Sequence, residues 1–290
     1  MPKLLISHRH HYVPQFYLKV WQASDGKGFW LYSRDIKGNI RRCRRSSKSV
    51  AFEIDLYSLY PETPYPELEP RQDAIEVEFF SKIDDAAAQI HRKILASGIN
   101  ILSEEDRVIW ALFLNSLMER TPNKIKEIEN SYNIEEAKKE IIHILENTEF
   151  ASQINWHAMH SNSIRRALVN YISDNSSIGH IYRMRWATVD IPVEDEHLIT
   201  SDTPIVVNGG KKSQPIHCLS IALSPNKLFI THGATDEFDN DFLKMLTVTH
   251  NAFIIQLAEQ YVISSRELSD GPYTNYTNLI KTLGDGLVSE

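Results

Sequence analysis

"GFWLYSRDIKGNIRRC", residues 28–43, is the stretch on which the fold turns. An aromatic-rich half and an arginine-rich half meet at Gly38-Asn39, which predicts two strands of a hairpin. A lone hairpin is marginal in water and too small to bury itself, so it needs strands from elsewhere. The sequence next reads as β only after residue 178, and the two β segments are therefore expected to share one sheet.

What lies between them reads as helix. "YPETPYPELEP", residues 60–70, places four prolines in eleven residues and marks a linker. From Ala74 to Ala96, Ile75, Phe79, Ile83, Ala86, Ile90 and Ile94 recur at helical spacing and form one apolar stripe. Ser103 and Asp106 fit a capping box for a second helix, which runs through Trp110, Phe113, Leu114 and Leu117 to a stop at Pro122. Lys124 to Glu146 and Ile154 to Ile172 predict two more.

From Ile178 the period shortens. Tyr182, Met184, Trp186 and Thr188 alternate with Ile181, Arg183, Arg185 and Ala187, which predicts a strand. "HLITSDTPIVVN" (197–208), "IHCLSIALSPNKLFITHG" (216–233) and "YVISS" (261–265) continue the β reading, around one helix in "NDFLKMLTVTHNAFIIQLAEQ" (240–260). The expectation is an α+β fold in one composite domain, 1–290. Its parts are a β-rich block (1–60), a helical block (67–175), a mainly β block with one helix (178–265) and a tail (266–290).

A chain of 290 residues can bury its own core. Its 38 acids and 31 bases argue against a wholly basic nucleic-acid coat, though not against a local basic groove. Two cysteines, Cys43 and Cys218, build neither a disulfide scaffold nor a thiolate zinc cluster. "MPKLLISHRHH" is too short an apolar stretch for a signal-peptide core, and no window nears the roughly 20 apolar residues of a span. A cytoplasmic protein with no membrane partner is expected.

"SHRHHYVPQFYL" (7–18) holds the most conspicuous chemistry. On an extended segment His8 and His10 point one way and His11 the other, so the three cannot meet one ion unless the strand bends. The first strand of ββα-metal nucleases often carries a His-His-x-x-Pro run like this one. Their second half, a His or Asn on a following helix, has no counterpart in "NIRRCRRSSKSV" (39–50). Arg34, Lys37, Arg41, Arg42, Arg44, Arg45 and Lys48 form a basic strip suited to phosphate, or else an edge strand guarded against pairing. Glu76, Glu78, Asp84 and Asp85 lie on the first helix, and Asp202 follows a strand in "TSDTP", where it is either a functional carboxylate or a turn cap. Arg120 in "ERTP" closes the second helix, as an anion clamp or a partner of the helix dipole. No Walker loop, GxGxxG, GxSxG or HExxH motif is present.

"HHYVPQFYL" (10–18), "RTP" (120–122), "ITSDTPIVV" (199–207) and "IALSPNKL" (221–228) together resemble, in order, the bacterial domain-of-unknown-function family 4238. Ala222-Leu223-Ser224-Pro225 stands where that family commonly has Pro-Leu-Ser-Pro, and Val20-Trp21 replaces a frequent Asn-Phe. The resemblance carries no reaction. It implies that His10, His11, Tyr12, Pro14, Tyr17, Arg120, Ser201, Asp202 and Pro204 join three parts of the chain in one composite site.

The function expected from these residues is phosphodiester cleavage by a nuclease acting on DNA or RNA. His10, His11, Asp202, Arg120 and Glu78 are the expected catalytic groups. Tyr12, Arg41, Arg42, Arg44, Arg45 and Ser201 would bind substrate, and His10, Asp202 and Asp84 would hold any Mg or Mn. The rivals are a non-enzymatic binding or sensor module of a bacterial defence or toxin–antitoxin system, and a hydrolase of a phosphorylated small molecule. A closed pocket in place of an open basic groove favours the last.

Overall fold

Strand β1 (Arg9–His11) opens the fold and pairs with β4 (Phe52–Ile54), setting His10 opposite Glu53. The computed structural model describes residues 6–131 except 66 and 68, then 153–192, 197–209, 216–231 and 240–269, with 135, 139, 143, 276 and 280 between and beyond them. Pro14 stands at the N-cap of helix α1 (Gln15–Lys19), which buries Tyr17 and Leu18. The Tyr17 hydroxyl donates to the Ala222 carbonyl at 2.8 Å and meets the Thr200 hydroxyl at 2.7 Å, tying the first block to the last.

The hairpin forms as β2 (Phe29–Arg34) and β3 (Ile40–Arg45). It is completed by C-terminal strands, in the order β3-β2-β10-β6, with β6 at Thr200–Ser201 and β10 at Tyr261–Ser264. The two β segments do share this sheet. The remaining C-terminal strands depart from the one-sheet expectation: β5 (Ala187–Asp190), β7 (Ile205–Gly209), β8 (Ile216–Ser224) and β9 (Lys227–Thr231) form a separate antiparallel sheet, β5-β9-β8-β7. Strands β7, β8 and β9 are sequential neighbours, and such strands pair most readily with one another.

In the helical block, α2 (Ser81–Ser97) is preceded by a π-turn at Ile75–Phe80, closed by the Ser81 N–H donating to the Glu76 carbonyl. The buried stripe differs from the expected one at two places. Phe80 and Ala87 are buried where spacing predicted Phe79 and Ala86, while Ile75, Ile83, Ile90 and Ile94 keep their places. Helix α3 (Glu104–Glu119) starts at the predicted box, with Ser103 accepting from the Asp106 N–H, a cap that contributes about 1 kcal/mol. Pro122 begins α4 (Pro122–Ser131), and the predicted continuation toward Glu146 lies mostly outside the described residues, as does most of the 266–290 tail. Helix α5 spans Trp156–Ile172.

The predicted strand from Ile178 is instead helix α6 (Asn175–Arg183) before β5. Asp174 caps it by accepting from the Ser176 and Ser177 N–H groups, and the Trp186 indole N–H donates to the Ile181 carbonyl. The alternation was a weaker signal than the cap. Helix α7 (Asn240–Leu257) matches the remaining expectation.

One buried apolar cluster runs from Tyr12 through Trp110 and Phe113 to Phe229 and Ile263. Each such side chain contributes roughly 1.5–3 kcal/mol on burial. The cluster holds the three blocks together around the Arg120 region. Among the described residues, no helix is long and apolar enough to cross a membrane.

Candidate functional site

Arg120 is the C-cap of α3, where the chain turns through Thr121 into α4. Its side chain is fully buried, with the guanidinium 5.5 Å from the Phe80 ring centre and 5.9 Å from that of Phe113. Both rings offer a π-face to the cation. Nη1 donates to Asp84 Oδ1 at 2.8 Å, and the Tyr57 hydroxyl donates to the Arg120 carbonyl at 2.5 Å. Nε and Nη2 have no hydrogen-bond partner among the described residues. These two nitrogens share one edge of the planar group, the fork that grips two oxygens of a phosphate or carboxylate.

Of the other buried polar atoms without partners among the described residues, Glu76 Oε2 and His11 Nε2 belong to side chains that feel the charge of Arg120. Burial pushes the Glu76 carboxyl up to about 7; attraction to Arg120 opposes the rise, and repulsion from Asp84 and Asp73 adds to it. Burial also lowers the proton affinity of His11. A backbone hydrogen bond with Ser47 opposes that shift, and the charges of Arg9 and Arg120 reinforce it. The His11 ring leans on Phe52 at 5.5 Å. The Asp84 side chain is 22 % exposed. A neutral imidazole, a carboxyl poised near neutrality and a fixed guanidinium fork can supply a base, an acid and an anion clamp. Leaving such groups unpaired costs about 1–3 kcal/mol each, which a bound anion or water would recover.

The other expected site residues go elsewhere. His10 is fully buried, stacks on Tyr57 and commits both ring nitrogens: Nδ1 accepts from the Tyr57 N–H and Nε2 donates to the Ser7 carbonyl, each at 2.9 Å. It has no lone pair left for a metal or proton. Asp202 accepts the Glu259 N–H at 3.0 Å and the Gln260 N–H at 2.7 Å, holding the turn from α7 into β10. Ser201 closes a turn on Thr203. The buried Tyr12 hydroxyl lies 3.4 Å from that of Tyr261, which accepts from the Ala51 N–H. Glu78 faces solvent, and Glu76, also on the π-turn, is the half-buried carboxylate.

His10, Asp202 and Asp84 do not form the expected metal set. Among the described residues no three His, Cys, Asp or Glu side chains are grouped to hold an ion. Three of the seven basic residues of the strip are matched by acids: Arg41 pairs with Asp35, Arg42 with Glu267 and Arg44 with Asp25, while Arg45 is exposed. The structure thus brings His11, Arg120 and Asp84 into one electrostatic neighbourhood and adds Glu76 and Tyr57. Glu76 is visible in sequence as one of several helix carboxylates, but only the π-turn singles it out. Nothing in the sequence marks Tyr57.

A structural role for Asp202 has a direct consequence. In Asp202→Asn the amide NH₂ faces one of the two N–H donors, and the loss is expected to be about 2 kcal/mol of stability. Urea denaturation checks this; an unchanged midpoint contradicts it.

The model of a family described as "Protein of unknown function (DUF4238)" matches residues 9–267. No curated protein and no solved structure matches the chain.

Proposed function

The chain belongs to the DUF4238 family, and from the geometry around Arg120 we propose that it is a phosphodiester hydrolase. The observation that carries the reading is the unpaired Nε/Nη2 edge of a buried, Asp84-anchored guanidinium whose charge acts on His11 and Glu76, each with one unpaired side-chain atom among the described residues. Arg120 donates from that edge to the two non-bridging phosphate oxygens, and Asp84 fixes its orientation. Neutral His11 takes a proton from water through Nε2 as the new P–O bond forms. Protonated Glu76 gives its proton to the leaving oxygen as the old P–O bond breaks, so an alcohol and a phosphomonoester result. His11 then returns its proton to Glu76 or to solvent.

The acid pairing of Arg41, Arg42 and Arg44 favours a compact phosphodiester over a long DNA or RNA strand held along the strip. Bis(p-nitrophenyl) phosphate, single-stranded DNA and single-stranded RNA, each with EDTA, Mg²⁺ or Mn²⁺, are the substrates to try. Release of p-nitrophenol above the rate of the Arg120→Lys protein supports the reading, and equal rates defeat it. Full burial of Arg120 favours one alternative, an anion-sensing module in the same place. Phosphate raising the melting temperature without turnover of any substrate distinguishes it.

The pH profile follows from the two shifted groups. Activity needs His11 deprotonated, which occurs below its ordinary value of 6.5, and Glu76 protonated, which is lost as pH rises through about 7. A narrow bell on the acid side of neutrality is expected, and Glu76→Gln should lose its alkaline limb. Stability carries the same sign. Because the folded value of Glu76 is raised above 4.5, its contribution is fully present below 4.5 and is lost as pH rises through about 7. Asp202, also raised to about 7 by burial, adds a parallel loss above its unfolded value of 3.8. Buried His91, His197 and His250, lowered to between about 3 and 4, work in the opposite direction over the same range, so the contribution of Glu76 is read as a difference: between pH 5 and 8 the stability of Glu76→Gln should fall less, or rise more, than that of the wild type by roughly 2 kcal/mol at ~1.4 per pKa unit after solvent screening. A slope identical to the wild type would contradict this.

A further inference from the structure

A second site lies between the β7–β8 pair and α7, where a cavity of about 570 Å³ shares no lining residue with the Arg120 centre. Val206, Leu246 and Phe253 supply apolar walls, with Cys218, Ser220 and His250 among them. None of its described lining side chains carries a formal charge. His250 is 3 % exposed; its Nδ1 lies 3.1 Å from the Ser220 hydroxyl, and its Nε2 has no partner among the described residues. Burial pushes the imidazole down to about 3, so it is neutral at physiological pH.

We propose that this cavity binds an uncharged, mainly apolar small molecule carrying one hydrogen-bonding group for His250 Nε2. Size selects a small molecule, because pockets of about 300–1,000 Å³ enclose most of such a ligand, with few polar groups fixing its orientation. Charge selects a neutral one. A carboxylate or ammonium would enter an apolar wall with no counter-ion among the described lining residues. A buried imidazole nitrogen left unpaired costs free energy, and the ligand's polar group would recover it.

Nile red, which is uncharged and carries a carbonyl, is the probe. Fluorescence titration of the wild-type protein is expected to show saturable binding. Leu246→Trp, which fills the cavity, and His250→Phe, which keeps the ring but removes Nε2, should each weaken it about tenfold or more. Cys218 provides a readout without altering the cavity. In Cys43→Ser protein, bound dye should slow alkylation of Cys218 by N-ethylmaleimide about tenfold. Absence of dye binding, equal binding by Leu246→Trp, or unprotected Cys218 overturns the proposal.

Discussion

Arg120→Lys is expected to lower phosphodiester turnover by about 10²–10³-fold, because it keeps the positive charge but removes the Nε/Nη2 fork. Arg120→Met has a different and larger cost. It leaves the Asp84 carboxylate with no cation beside it in a mostly buried position and should destabilise the fold by about 3–5 kcal/mol. Adding Asp84→Leu to Arg120→Met removes the stranded charge and should restore part of that loss without restoring activity. Turnover of bis(p-nitrophenyl) phosphate and urea denaturation of the three variants separate the effects. An active Arg120→Lys protein, or a double variant no more stable than the single one, contradicts the assignment.

His11→Gln is expected to lower turnover by about 10²–10⁴-fold with little change in folding. Its Nε2 makes no hydrogen bond to the described residues, so the fold forfeits only the backbone hydrogen bond at Ser47 and the contact with Phe52, about 1 kcal/mol. The neighbouring His10 should behave in the opposite way. His10→Gln disturbs a ring held at both nitrogens and stacked on Tyr57, so stability falls and any loss of rate follows the unfolded fraction. Rates normalised to folded protein, taken from circular dichroism, check the contrast. Two adjacent histidines with the reverse pattern would exchange their roles and defeat the mechanism.

The alternation of strand faces in the opening motif already separated His10 from His11, since β geometry alone sends successive side chains to opposite sides. It could not say which one was committed, because the Ser7 carbonyl and the Tyr57 N–H that claim His10 come from turns with no sequence signature. The hairpin, the α3 cap and the sharing of one sheet by both β segments were legible for local reasons: Gly38-Asn39, Ser103 with Asp106, and the smallness of a lone hairpin. The π-turn was not. It replaces one hydrogen-bond register with another over a single turn, and apolar spacing of three to four absorbs the slip without a trace. Alternation over 181–188 misled because Asp174 caps a helix there, and a short helix with a polar face can mimic period two. Asp202 read as a site residue because a carboxylate after a strand is equally suited to chemistry and to a turn, and here the Glu259 and Gln260 N–H groups occupy both its oxygens.

The most direct test is the ¹⁵N–¹H resonance of the Arg120 Nε–H group, identified by its absence from Arg120→Lys and followed while inorganic phosphate is added. A buried N–H without a partner should move downfield and saturate as phosphate takes up the fork. A resonance that stays in place at phosphate concentrations that saturate other anion sites would show that Arg120 is a structural cation, and the proposed hydrolase would fall with it.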